Sequence, residues 1–219
     1  MTPRKKDTEQ LSQERVLDAA MHIIEEDGVD GLSMRRLGAE LGVNPMAAYH
    51  YVPSKAALYD LVLDAVMASV DLSDVDPSAS LEDRMKKAAR AYRAAILAHP
   101  RAIPILAARS VRTSAGLRPI EPMLGLLLEA GLDPTEAIAA VDAVAQYVLG
   151  GALGYYHHTV DTELRDEERD FDALPPEEFP NMTRVLAEAH YAGFDEEFEF
   201  GLDAIVRGLL SGPRYEMRG

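Results

Sequence analysis

Apolar residues recur along this chain at helical spacing, and the breaks between runs fall at Gly and Pro. Alternating patterns of the strand type are scarce. Val16, Leu17, Ala20, Ile23 and Ile24 form the buried stripe of a first helix, with Ser12 as N-cap and Gly28 as stop. Ser33 caps a short second helix that turns Met34, Leu37 and Leu41 inward, and Gly42 can take the left-handed conformation that ends it. Asn44-Pro45 then supplies an N-cap and a first-turn proline for a third short helix, closed by Val52-Pro53. Ser54 caps a fourth, running through Leu58, Leu61, Val62, Ala65 and Val66.

The polar stretch from Asp71 to Ala79, containing Pro77, predicts a junction between domains. Ser80 to Asp83 reads as a capping box opening a helix to about His99. Pro100, Pro104, Pro119 and Pro122 divide the next stretch into shorter helices. Asp133-Pro134-Thr135-Glu136 is a strong helix start, and the apolar positions Ile138, Val141, Val144, Val148 and Leu149 carry that helix to about His158. Residues 161–180, acidic and holding Pro175, Pro176 and Pro180, predict a loop, followed by helices over about 181–192 and 195–211. The expected fold is all-α. A three-helix N-terminal domain over 1–71 precedes a larger helical domain over 80–219.

Composition narrows the picture. The chain has 219 residues, 47% hydrophobic, and no cysteine, which removes disulfides, thiolate metal sites and thiol catalysis together. The sequence shows no unbroken apolar run of about 18 residues and no signal-peptide pattern, so neither a membrane span nor export is expected. A cytoplasmic address is compatible with this composition. The net charge of -15 looks wrong for a nucleic-acid binder until its distribution is read. Residues 161–178 hold nine acidic side chains against Arg165 and Arg169, a balance of -7, whereas residues 1–60 hold seven basic against ten acidic. Phosphate attraction depends on the local face, so charge permits DNA binding without supporting it.

The informative stretch runs from Gly31 to Lys55. Two short helices separated by Leu41-Gly42-Val43-Asn44 have helix-turn-helix geometry, in which the second helix offers its first turns to a DNA groove. Leu37, Leu41, Val43 and Ala48 fix the crossing, which leaves Pro45, Met46, Ala47, Tyr49 and Tyr51 outside. The bland alternatives are two core helices joined by a tight turn, or a similar arrangement serving a partner other than DNA.

Ser33 through Lys55, including the run Tyr49-His50-Tyr51-Val52 and the pair Ser54-Lys55, resembles the signature of the tetracycline-repressor-like (TetR) family of regulators. The resemblance implies that Arg35 reaches a base edge, guanine suiting its fork. It implies that Pro45, Met46 and Ala47 touch thymine methyls. Tyr49, Tyr51 and Lys55 would hold phosphates, with the amide of Ser33 or Met34 at its helix start. Arg36 reads better as a solvated charge, and Met46 also admits an inward packing. The recognition helix is poor in hydrogen-bonding side chains, which points either to weak base readout or to readout through DNA shape.

The C-terminal region resembles that of the tetracycline repressor, the family's namesake, over Ala140–Leu153 and Asp195–Leu210. By that resemblance these two helices build a dimeric four-helix bundle. The resemblance breaks where a magnesium–drug complex would be held. No histidine lies between His99 and His157, and the position of a glutamate ligand matches Gly154. An apolar pocket lined by Tyr92, Met123, Leu127, Tyr147 and Tyr155 is expected, with plain core as an equal reading of each. Gly150, Gly151 and Gly154 suggest close helix approach or room for a ligand. His157-His158 followed by Asp161 is a poor metal site, because adjacent helical side chains point apart; no metal or cofactor is expected.

The implied protein is a ligand-responsive transcriptional regulator, most simply a repressor. It would bind a pseudo-palindromic operator in double-stranded DNA as a homodimer and leave when a small molecule binds. The rival is a helical small-molecule-binding protein without DNA-binding activity. An enzyme is not expected, since no nucleophile–base order, phosphate loop or paired-carboxylate setting stands out.

Overall fold

The computed structural model describes residues 11–160, 174–190 and 193–211. Among them are eleven α-helices, one 3-10 turn (Pro100–Ala102) and no strand. The helices are α1 (Gln13–Gly31), α2 (Met34–Leu41), α3 (Pro45–Ala48), α4 (Lys55–Ala68), α5 (Leu81–Leu97), α6 (Ile103–Ala108), α7 (Ser114–Leu117), α8 (Ile120–Glu129), α9 (Pro134–Thr159), α10 (Pro180–Glu188) and α11 (Phe194–Ser211).

The caps read from sequence act as such. Ser12, Ser33 and Ser54 accept the amides of Arg15, Arg36 and Ala57 at 3.2, 3.1 and 3.1 Å. Asp133 accepts from Thr135 and Glu136, while the Glu136 carboxylate takes the Asp133 amide at 3.0 Å, completing a capping box. At Ser80 the box is altered. Asp83 accepts the Ser80 hydroxyl at 2.6 Å. Gly28 interrupts α1 with φ 71°, as its role of stop requires, yet one more turn follows to Gly31. The predicted loop at 161–180 falls largely outside the described residues.

Two compact units divide the chain: 1–71 with 94–121, and 72–93 with 122–219. The division departs from the sequence-based boundaries, because residues 94–121 group with the N-terminal helices. Specific links explain it. Arg109 grips the Asp60 carboxylate of α4 (Nε at 2.8 Å), Thr113 donates to Asp64 at 2.6 Å, and Arg101 donates to the Glu26 carbonyl at 3.3 Å. The apolar core of this unit holds Val16, Ala20, Ile23, Ile24, Leu32, Leu37, Ala48, Val52, Leu58, Val62, Ala102 and Ile103.

In the second unit, α9 packs along α11. Tyr147 stacks on Phe198, with centroids 5.6 Å apart, and its hydroxyl donates to the carbonyls of Glu197 and Phe198. Gly201 makes this possible, since a Cβ there would lie 2.6 Å from Tyr147 Cζ. By length and composition α9 could cross a bilayer, with a mean hydropathy of 1.4 over an 18-residue window. The sequence predicts no membrane span, because it holds no unbroken apolar run of that length. Asp142 and Gln146 interrupt the run. The buried line Ala137, Ala140, Val144, Val148 and Ala152 gives α9 a packed face of the bundle type.

A charged ladder joins α5 to α11. Lys86, itself buried, pairs with Asp203 and Glu82, Arg90 forks onto both oxygens of Glu199 at 2.7–2.8 Å, and Arg93 reaches Asp195 at 2.7 Å while lying over the Phe198 ring. These cations hold the carboxyls of Glu82, Glu199 and Asp203 below the usual range, through hydrogen bonds from Lys86, Arg90 and Lys86 respectively. A carboxyl lowered on folding contributes stability that is complete above its unfolded pKa of about 4 and is lost as pH falls through the folded one. Solvent access keeps each contribution small. Melting midpoints should therefore hold steady to about pH 5 and fall below about pH 4. Arg90→Gln should make that fall shallower by circular dichroism, and an equally steep fall would contradict the ladder.

Candidate nucleic-acid interface

The geometry starts at the turn. Gly42 adopts φ 67°, ψ 27°, and its amide caps α2 by donating to Ala39 and Gly38. A Cβ on Gly38 would sit 3.0 Å from Pro45 N and Cα, so glycine there lets α2 approach the start of α3. The Asn44 side chain accepts the Met46 amide at 2.9 Å and sets the direction of α3. Leu37 and Ala48 are fully buried, which anchors both helices on the core. The helical part of α3 is shorter than expected: it ends at Ala48, and Tyr49, His50 and Tyr51 follow as turns.

On this scaffold the sequence-predicted residues divide clearly. Arg35 is exposed and makes no hydrogen bond or ion pair among the described residues. Met46 is 66% exposed, so it does not pack inward, and Tyr49 and Tyr51 are about two-fifths exposed at 40% and 38%. Pro45 and Ala47 are half-buried, and Lys55 is exposed as the first residue of α4. Ser33 is half-buried with its hydroxyl engaged as a cap. Met34 is buried as a side chain, so only its backbone amide faces the open end of α2.

Arg36 behaves differently from Arg35. It bonds Glu40 at 2.6 Å and Asp27 at 3.2 Å, with Glu26 at 3.9 Å, and these carboxylates raise its pKa. Its charge is spent locally. Arg36 is therefore half-buried and ion-paired rather than the solvated charge that the sequence suggests, because α1 and α2 bring three carboxylates to it. Two residues were passed over in the sequence: His50, exposed on the turn after α3, and Tyr59, half-buried on α4, whose ring faces the Lys55 ammonium at 5.3 Å. The Lys–Tyr spacing of four on one helix was the available signal for the latter.

The residues put forward for a pocket all lie in the second unit. Leu127 is fully buried on α8, with Met123 half-buried one turn earlier. Tyr92 is half-buried on α5, and burial pushes its hydroxyl pKa up. Tyr147 and Tyr155 stand on the α9–α11 seam, where Tyr155 meets Phe194 edge-on at 5.7 Å. Gly150, Gly151 and Gly154 have nothing within 4 Å of a would-be Cβ. His157 and His158 are exposed; Asp161 lies outside the described residues.

A helix pair bent at a left-handed glycine, with a largely uncovered second helix set on a first one anchored in the core by Leu37, defines a helix-turn-helix regulator of the DNA-binding class. Comparison with known proteins narrows the class. Residues 16–62 match the model for bacterial regulatory proteins of the tetR family, and residues 75–212 match the tetracycline repressor-like C-terminal domain. The chain belongs to the TetR family. It is 32% identical to the HTH-type transcriptional repressor DrrR1 of Streptomyces coeruleorubidus, over 91% of this chain and 77% of that protein. It is 27% identical to the class D tetracycline repressor protein of Escherichia coli, over 91% and 89% of the two chains. Its fold matches the structure of Streptomyces coelicolor ActR in complex with actinorhodin, with TM-score 0.81, 29% identity, and 93% and 99% of the chains covered.

Proposed function

We propose that this regulator is a repressor that grips a pseudo-palindromic operator as a homodimer, through the outer face of α2, α3 and the start of α4, and leaves when a small organic molecule binds the second unit. The observation that carries the DNA half is the division between Arg35, exposed and unpaired among the described residues, and Arg36, caged by acids. Arg35 reads a base edge. Met46, with Pro45 and Ala47, offers apolar surface to thymine methyls, and Tyr49, Tyr51, Lys55 and the Met34 amide hold phosphates. DNA binding belongs to residues 1–71, and effector binding and dimerisation to 80–219. No catalytic step is involved, and the protein works in the cytoplasm beside the chromosome.

Exposed apolar residues support the dimer. Phe200 on α11 is 81% exposed and Ile138 on α9 is 43% exposed, while the three α9 glycines leave room for close approach. Burying such a face between two copies removes the cost of showing it to water. The effector reading rests on ligands named for relatives: ActR has been solved with actinorhodin, and a TetR variant of Acinetobacter baumannii with minocycline. A magnesium chelate does not suit this chain, since the exposed Gly154 supplies no carboxylate. Whatever binds must prefer the released conformer, or no shift follows. The helix α4 is the lever, held by Arg109 on Asp60 and Thr113 on Asp64.

Selection of duplexes from a random library by the purified dimer, followed by anisotropy titrations over a range of salt, tests the DNA half. A specific binder prefers the selected duplex over random DNA by about a thousandfold or more. Equal affinity for both would leave the rival reading, a small-molecule binder without DNA activity.

A further inference from the structure

Two cations near the bent helix pair, Arg36 and Lys55, are held in contrasting ways. Three carboxylates surround Arg36, so its field is cancelled close by. Lys55, first in α4, has no carboxylate partner among the described residues; its ammonium lies 5.3 Å from the centroid of the Tyr59 ring. Positions 55 and 59 are one turn apart, so both side chains share a face of α4. Ser54 fixes that first turn by capping it through the Ala57 amide.

We propose that Tyr59 is a positioning residue for DNA binding: its ring holds the Lys55 ammonium in place at the head of α4, still fully charged, for a backbone phosphate. This rests on the reading of the helix pair as a DNA-binding surface. An aromatic face attracts an ammonium through its quadrupole but carries no net charge, so it orders the cation without neutralising it. A carboxylate in the same place would do what Glu40 does to Arg36. The ammonium has three donors, enough to rest on the ring and still donate to a phosphate oxygen. A free lysine loses much rotamer freedom when it is fixed on DNA, and a ring that has already fixed it lowers that loss. The Tyr59 hydroxyl makes no hydrogen bond among the described residues, so the ring is the part in use.

The test is a double-mutant cycle on the selected duplex, with full-length protein carrying Tyr59→Leu, Lys55→Met, both, or Tyr59→Phe. Tyr59→Leu should weaken binding about two- to fivefold per half-site, or about 4- to 25-fold for the dimer. Tyr59→Phe should bind as the parent does. In the Lys55→Met background, Tyr59→Leu should cost markedly less than in the parent, and the cycle subtracts the remainder, which is whatever leucine does to α4 itself. An equal loss in that background overturns the proposal, since the ring would then only pack the helix. Unchanged binding by Lys55→Met alone overturns it too. Failure to select any preferred duplex would instead remove the DNA-binding reading, and the proposal with it.

Discussion

Arg35→Ala is expected to weaken operator binding by about 1–3 kcal/mol per half-site and to erase preference at one base pair. Both half-sites lose the contact in a homodimer, so affinity should drop by roughly one to four orders of magnitude. The expectation follows from where the guanidinium stands. Arg35 is exposed, unpaired among the described residues, and sits in the first turn of a helix that Ser33 caps. Titrating the variant against the selected duplex and against each single-base change of it gives the answer. Discrimination should vanish at one position of each half-site and survive elsewhere. A loss spread evenly over all sequences would make Arg35 a phosphate contact instead.

Leu37→Ala should destabilise the protein by about 2–5 kcal/mol, the range for emptying a fully buried leucine site. Leu37 has no exposed surface and lies on α2, which packs on both α1 and α3. Its loss would free the helix pair from the core as well as weaken the fold. Urea unfolding should show a lower midpoint with an unchanged slope, and DNA affinity should fall even where the variant remains folded. A midpoint shift of well under about 1 kcal/mol would mean that the site collapses around the gap.

The local grammar of the fold was legible in the sequence. Ser12, Ser33, Asn44, Ser54 and Asp133 each cap the helix they were read to cap, and Gly42 takes the left-handed turn. Such signals work because a cap satisfies its own neighbours within three residues. What depended on distant partners was not legible. Residues 94–121 join the first unit through pairs 49 and 75 positions apart, and nothing near Arg109 or Arg101 in the sequence announces Asp60 or Glu26. The stacking of Tyr147 on Phe198, made possible by Gly201, is equally remote. At the interface, the difference between Arg35 and Arg36 was half visible: the sequence suggested it, but the acids that cause it come from both α1 and α2.

Hydroxyl-radical footprinting of the wild-type dimer on its selected duplex tests the central claim most directly. Two recognition helices on one dimer should protect two symmetric patches on one face of the DNA, about 34–36 Å or one helical turn apart. A single patch, or protection that spreads without a two-fold pattern, would contradict the account.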